Sequence, residues 1–213
     1  MQLYSFFNSS TSYRVRIALA LKGLASDYHR VNLRTGEQRQ PQHRELSPIG
    51  GVPVLVGDDG VSLTQSLAII DYLDALYPQV PLLPSAPLLR ARVLEAAQLV
   101  ACDIHPLNNV RVLGYLQREL GVRAEDKDRW YAHWVAEGLA ALEALLQRHG
   151  DGPFCFGATP TLADCCLVPQ VANAARMGCD LQAYPKVMAV YQHCQAQAAF
   201  QQAAPERQPD FIQ

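Results

Sequence analysis

Gln2-Leu3-Tyr4-Ser5-Phe6-Phe7-Asn8-Ser9-Ser10-Thr11-Ser12-Tyr13-Arg14-Val15-Arg16-Ile17-Ala18-Leu19 reads as a strand, a hydroxyl-rich turn and a helix in one run. Gln2–Phe7 is rich in aromatic residues, which favour a pleated, half-buried strand. Thr11–Lys22 is apolar nearly all round, the pattern of a buried helix, and Gly23 closes it at the position where a left-handed residue is wanted. Working outward, Tyr28–Leu33 reads as a second strand. Val54–Val56 and Val61–Leu63 read as short strands joined by the turn Asp58-Asp59-Gly60. Ser66–Tyr77 reads as an amphipathic helix with Ile69, Ile70, Leu73, Leu76 and Tyr77 on its apolar stripe. The order β-α-β, then β-β-α, predicts a small mixed sheet with helices on its faces.

Prolines then fall at 78, 81, 84 and 87, one every third residue, a spacing that stops a helix and favours an extended connector. Beyond it, strand signals nearly vanish. Leu88–Leu120 reads as one long helical stretch interrupted near Pro106, and Glu125–His149 as another, stopped by Gly150 and Gly152. Thr161–Met177 opens with Thr161-Leu162-Ala163-Asp164, a variant capping box with an acid reaching back to the cap. Tyr184–Cys194 and Gln195–Ala204 read as shorter helices. The predicted class is therefore α/β plus all-α: residues 1–80 as a mixed α/β domain, 81–87 as a proline-rich linker, and 88–213 as a helical domain.

Composition narrows the function. Of 213 residues, 49% are apolar and 18% charged, enough to build a core, and the formal net charge is −2 with no basic stripe. That pattern argues against nucleic acid or an anionic membrane as partner. No signal-peptide pattern opens the sequence and no apolar run is long enough to span a bilayer. The six cysteines are Cys102, Cys155, Cys165, Cys166, Cys179 and Cys194. Without a C-x-x-C pair among them, they read as buried free thiols in a reducing compartment, the cytoplasm. G-x-S-x-G, P-loop, G-x-G-x-x-G and zinc-ligand spacings are all missing.

Four places could carry chemistry. The turn Asn8–Ser12 stands at the head of a helix, where free N–H groups and hydroxyls can hold a negative charge. It has no cysteine, so a thiolate held there would have to come from a ligand; ordinary N-capping is the plainer alternative. Gly50-Gly51-Val52-Pro53 enters a strand through an X–Pro bond that could be cis, leaving Val52 to pair with an extended peptide, or could be a simple turn. Gln65-Ser66 begins another helix and could receive a carboxylate, or could be a second cap. Asp103, His105, Asn108, Asn109 and Arg111 gather polar groups in an apolar helical stretch, with His105 at a spacing that faces Asn108 and Asn109.

Together these features resemble the zeta class of cytosolic glutathione transferases. Ser9-Ser10-Thr11-Ser12-Tyr13-Arg14-Val15-Arg16-Ile17-Ala18-Leu19 is similar to the class signature S-S-C-x-x-R-V-R-I-A-L. The likeness continues through Gln65-Ser66-Leu67-Ala68-Ile69-Ile70, Asp103–Asn109, Leu162-Ala163-Asp164, Val168-Pro169-Gln170-Val171 and Gln208-Pro209-Asp210, nearly the whole chain. The resemblance implies a thioredoxin-like N-terminal domain that binds glutathione, an all-helical C-terminal domain and a homodimer. It implies maleylacetoacetate isomerisation to fumarylacetoacetate, or the related maleylpyruvate reaction, by reversible addition of the glutathione thiolate to a small anionic enedione. It implies glutathione contacts at Ser9, Ser10, Thr11, Gln38, Val52, Pro53, Gln65, Ser66, Asp103, His105, Asn109 and Arg111, with Ser9, Ser10 and Thr11 at the sulfur, and Arg176 on the substrate. Two residues depart from the class: Thr11 stands for its cysteine and Asn8 for a common arginine. Conjugation or dehalogenation of other electrophiles is the enzyme alternative. A non-catalytic interaction protein on the same fold is the alternative outside enzymes.

Overall fold

A computed structural model describes residues 1–212. Its strands are β1 (Gln2–Ser5), β2 (Asp27–Arg30), β3 (Val54–Val56) and β4 (Ser62–Thr64), in the order β2-β1-β3-β4. β1 runs parallel to β2 with Leu3 opposite Tyr28, and antiparallel to β3 with Leu3 opposite Leu55; β3 and β4 are antiparallel. The parallel pair needs a crossover, supplied by α1 (Ser10–Leu21). The antiparallel pair needs only the turn ending at Gly60, whose φ of 81° suits glycine. The mixed sheet expected from the sequence is present. β2 stops at Arg30 instead of Leu33, and Val31 N–H still reaches the Ser5 carbonyl at 2.8 Å.

α2 (Pro41–Leu46) and a 3-10 turn at Glu37–Arg39 were not legible in the pattern, because six residues are too few to show a helical period. Proline at the first position of α2 removes an N–H that would have no partner there. α3 (Ser66–Leu76) buries Ile69, Ile70 and Leu73 as expected, but Leu76 at its end is exposed. The proline-rich connector is tied down at its start. Both Asp74 carboxylate oxygens accept from the backbone, from Leu82 N–H at 2.7 Å and Leu83 N–H at 3.0 Å. The buried Lys22 ammonium donates to Asp74 (2.7 Å) and to the Tyr77 and Val80 carbonyls that follow α3.

The chain forms two compact units: Met1–Leu83 together with the segment from Gln195, and Pro84–Cys194. The second unit holds α4 (Pro87–Gln98), α5 (His105–Asn108), α6 (Val110–Arg118), α7 (Ala124–His149), α8 (Leu162–Arg176) and α9 (Pro185–Gln195). α8 is buried on nearly all sides, whereas α7 buries one stripe, Tyr131, Val135, Leu139, Leu142 and Leu146. The stretch expected as one helix with a break near Pro106 has two breaks. A π-helical segment, Leu99–Ile104, leads into Pro106, and Asn109 leaves helical geometry with ψ at 143°. Proline lacks the N–H that would close the local ladder, which accounts for the first break.

The π segment also sets how closely α7 can approach. A Cβ on Gly138 would overlap the buried Ile104 side chain. Gly138→Ala should therefore cost about 1–3 kcal/mol despite alanine's better helix propensity. A thermal melt checks this; at roughly 2–4 °C per kcal/mol for a chain of this size, Tm should fall by several degrees.

The Asp164 expectation holds. Its carboxylate accepts from the Thr161 N–H at 2.7 Å and the Thr161 hydroxyl at 2.9 Å, reaching back over the first turn of α8. α10 (Ala198–Ala203) follows α9 and belongs to the first unit. All six cysteines are free; Cys155, Cys165, Cys166 and Cys194 are buried, but Cys102 is exposed and Cys179 only half-buried, against the expectation that all are packed inside. Among the described residues, no helix is long and apolar enough to cross a membrane.

Candidate functional site

In the first unit, β1 delivers the chain into the turn before α1. Ser9 is the N-cap: its backbone is extended and its Oγ accepts from Ser12 N–H at 3.2 Å. The Ser9 and Thr11 hydroxyls are 2.9 Å apart, and the Thr11 hydroxyl donates to the Val52 carbonyl at 2.8 Å. Thr11 has one hydroxyl proton, and Val52 takes it, so at the Ser9–Thr11 contact Ser9 is the donor. The result is an ordered relay from Ser12 N–H through Ser9 and Thr11 to Val52. It joins the turn to the Gly50–Pro53 loop, whose Val52–Pro53 bond is cis as the sequence allowed. Ser10, the first residue of α1, is buried beside it.

Ser9 thus caps α1 with its oxygen, as the plainer alternative expects, and keeps its proton in an O–H that donates to Thr11. Nothing in this turn is ionisable. A negative charge held here would meet hydroxyls and helix N–H groups without a competing carboxylate.

The Gly50–Pro53 loop is itself fixed. His43 Nε2 lies 2.8 Å from the Gly51 carbonyl, the Ser47 hydroxyl accepts from Gly51 N–H at 3.1 Å, and Gly50 has a φ of 64°. A Cβ at Gly50 would stand 2.9 Å from the Gln38 carbonyl, so only glycine admits this approach. Gln38, in the 3-10 turn, is buried, and its Oε1 meets no donor among the described residues. A buried amide oxygen in that state is a ready acceptor for an N–H donor on a ligand.

Gln65 has a φ of 69° and a ψ of 112°, the one non-glycine residue with positive φ among those described. Such strain, of order 1–3 kcal/mol, persists where the surroundings enforce it and clusters at functional positions. Ser66 follows as the buried first residue of α3, and the guanidinium of Arg14 donates to its hydroxyl at 3.3 Å. Arg14 is 2% exposed. Sequence reasoning placed Arg14 only inside a motif. The overlooked signal is a pair of charged residues, Arg14 and Arg16, in a helix that is otherwise largely apolar and buried, since arginine is almost never fully buried without a partner.

In the second unit, Asn109 organises a smaller group. Its Oδ1 accepts from Arg111 N–H at 2.9 Å, which fixes the amide's orientation. Its Nδ2 is then the donor to His105 Nε2 at 3.0 Å, so neutral His105 carries its proton on Nδ1. The shared face expected for His105 and Asn109 is present. The stretch that carries these residues is interrupted near Pro106, as expected, and again at Asn109: Asp103 lies in the π segment and Arg111 is the second residue of α6 beyond the second break, both exposed. Asn108 is buried with neither amide atom partnered among the described residues, and Trp130 Nε1–H holds the Leu107 carbonyl at 2.8 Å. Arg176 ends α8 and donates to Asn173 Oδ1. Among the described residues no cluster of His, Cys, Asp and Glu could hold a metal ion.

Residues 8–76 match the family model for the N-terminal domain of glutathione S-transferase, and 128–193 that for its C-terminal domain. The chain is similar to the maleylacetoacetate isomerase of Pseudomonas aeruginosa, 50% identical over 99% of this chain and 98% of that one. A holo structure of a maleyl pyruvate isomerase, described as a bacterial glutathione S-transferase in the zeta class, superposes with a TM-score of 0.96 at 44% identity, covering both chains fully. A maleylacetoacetate isomerase from Methylobacterium extorquens AM1, with bound malonate and glutathione, superposes with a TM-score of 0.97 at 39% identity, again over both full chains.

Proposed function

The chain belongs to the zeta-class glutathione transferase and maleylacetoacetate isomerase family, and from this we propose that it is a glutathione-dependent cis–trans isomerase converting maleylacetoacetate to fumarylacetoacetate. The observation that carries the reading is the hydroxyl relay at the head of α1, which offers an O–H donor to sulfur and contains no thiol of its own. The residues fit glutathione. Ser9, Ser10 and Thr11 would stand at its sulfur, Val52 and Pro53 at its peptide, Gln65 and Ser66 at its γ-glutamyl carboxylate, and Gln38 at its amide side, where an acceptor is buried and unmet.

Glutathione supplies a thiolate that adds to the cis double bond and leaves after rotation about the resulting single bond, so it is regenerated. The chain's task is to keep that thiol ionised and to hold the substrate. A free thiol titrates near 8.5, and lowering that by about two units takes roughly 2.7 kcal/mol. One hydrogen bond to a charged group is worth about 1.5–3 kcal/mol and a helix N-terminus about 0.3–1 kcal/mol. The Ser9 hydroxyl and the start of α1 together reach the amount required, so no cationic side chain is needed at the sulfur.

By the family resemblance, Asp103, His105, Asn109 and Arg111 are further candidate glutathione contacts, and Arg176, whose bidentate fork suits a carboxylate, is a candidate for the substrate. Free thiols throughout the chain suit the cytoplasm, and the family implies a homodimer.

Isomerisation of maleylacetoacetate and maleylpyruvate, assayed with and without glutathione, tests the proposal. Turnover should require glutathione without consuming it, and glutathione-independent turnover refutes the mechanism. Consumption in step with product would instead mark conjugation or dehalogenation, and lack of glutathione binding by calorimetry would mark an interaction protein. Asn8→Arg in the same assay should lower KM for the dicarboxylate about fivefold to tenfold with kcat little changed, the signature of added ground-state binding. An unmoved KM would show that position 8 does not meet the substrate.

A further inference from the structure

The first unit buries a charged cluster that the isomerase chemistry does not use. Asp210, near the C-terminus, is 8% exposed and lies on the far side of the sequence from β1. Its Oδ2 accepts from Phe7 N–H at 3.1 Å, a bond across 203 residues, and its Oδ1 accepts from the Tyr28 hydroxyl at 2.7 Å. Arg16, 5% exposed, approaches the same strand end. Its Nη2 donates to the Phe7 carbonyl at 3.0 Å, its Nη1 to the Phe6 carbonyl at 3.3 Å and Ser5 Oγ at 3.2 Å, and its Nε to the Ala203 carbonyl at 2.9 Å. The Phe6 carbonyl also accepts from Ser9 N–H at 3.0 Å.

Both polar groups of the Phe7 residue are therefore held by ionisable side chains, the N–H by Asp210 and the carbonyl by Arg16. The next residues are Asn8 and Ser9. We propose that Asp210, acting with Arg16 and oriented by Tyr28, is a positioning residue for the Ser9 hydroxyl: it fixes the Phe6–Phe7 peptide, which sets where the turn stands relative to the bound sulfur. The proposal rests on the reading that this turn ionises glutathione.

Adhesion alone does not explain the cluster. The Phe211 ring already packs edge-on against Phe7 at 5.5 Å between centroids, and Arg34 lies 5.4 Å over the Phe7 ring. Apolar side chains could hold the tail as well without the cost of dehydrating charges. Burial pulls the Arg16 guanidinium down to about 10, an opposing cost, and the nearby Asp210 charge favours the cation. What the charged pair adds is direction. Asp210 on the Phe7 N–H and Arg16 Nη1 on the Phe6 carbonyl hold the two sides of one peptide and fix its plane, and an error of about 1 Å at a catalytic donor can cost a hundredfold in rate.

The test is the ultraviolet titration of the bound glutathione thiolate, with steady-state kinetics, on the full chain. Asp210→Ala should raise the bound thiol's pKa by about one unit and lower kcat about tenfold, with KM for glutathione within about threefold. Asp210→Asn keeps an oxygen for Phe7 N–H, while the Tyr28 hydroxyl can turn to accept from its amide; it should recover kcat to within about threefold of the parent. Asp210→Ala that stays folded by circular dichroism, with thiol titration and kcat both within twofold of the parent, overturns the proposal and leaves the cluster as structural. If Asp210→Ala does not fold, Tyr28→Phe decides: the proposal stands on a rise in thiol pKa with kcat about threefold lower, and falls if neither moves. A parent protein that does not ionise bound glutathione would refute the underlying reading, a result distinct from either.

Discussion

Ser9→Ala should lower kcat for glutathione-dependent isomerisation about a hundredfold to a thousandfold at neutral pH and return the bound thiol's pKa toward the free value near 8.5. The expectation comes from proton counting in the relay. Of the two hydroxyl protons shared between Ser9 and Thr11, that of Ser9 is the one not committed to the backbone, since Thr11 gives its own to Val52. When a sulfur anion is bound beside the turn, Ser9 can turn from Thr11 to meet it, and no other residue of the relay can donate without releasing the Gly50–Pro53 loop. Thr11→Ala should accordingly cost less than about tenfold, because it frees the Ser9 proton while loosening the loop. Ser9→Ala also removes the α1 cap, worth about 1 kcal/mol. A melt alongside the titration separates that modest loss of stability from the loss of thiolate. Equal effects of the two substitutions on the thiol pKa would refute the assignment of Ser9 as donor.

Asp164→Ala should destabilise the helical unit by about 3–5 kcal/mol, a large part of the 5–15 kcal/mol that ordinary domains have in total. The side chain is fully buried, and besides the two Thr161 donors it accepts from Cys155 N–H at 2.8 Å. Removing it leaves two backbone N–H groups without an acceptor, at about 1–3 kcal/mol each, and strips the cap of α8. Burial pushes the Asp164 carboxyl pKa up while these donors pull it down, so part of the cost is returned when the charge is removed. That refund keeps the expected loss at the lower end of the simple sum. Denaturant unfolding followed by circular dichroism measures it; kcat per folded molecule should stay near the parent value, since Asp164 touches no candidate site residue. A loss under about 1 kcal/mol would show that water replaces the carboxylate.

What the sequence made legible were the features with short-range causes. Strand and helix periods gave the mixed sheet and the helical unit, and Asp164 sits at the spacing a cap requires. Ser9 and Gln65 stand at strand-to-helix junctions, where hydroxyls and helix N–H groups collect for local reasons. His105 and Asn109 are one helical turn apart and do meet. The second break, at Asn109, which ends one helix and caps the next, is one that its neighbours do not announce. Arg14 and Arg16 are charged residues in a helix buried all round, and one-dimensional patterning cannot say which partner neutralises them. Lys22, Asp74 and Asp210 act through contacts 8 to 203 residues away. No local period reports such contacts, so the tether of the connector and the grip on Phe7 came only from the fold.

The first unit is built from two stretches of chain that bracket the other, and this governs the order in which a ribosome can complete it. The strand and turn that carry Ser9 are synthesised first, yet Phe7 N–H waits for Asp210, made 203 residues later. The helical unit has been synthesised in full before that partner exists, so the usual sequence in which an N-terminal domain is finished first is reversed. The glutathione-binding fold therefore cannot be complete until the helical unit between its two stretches has been synthesised.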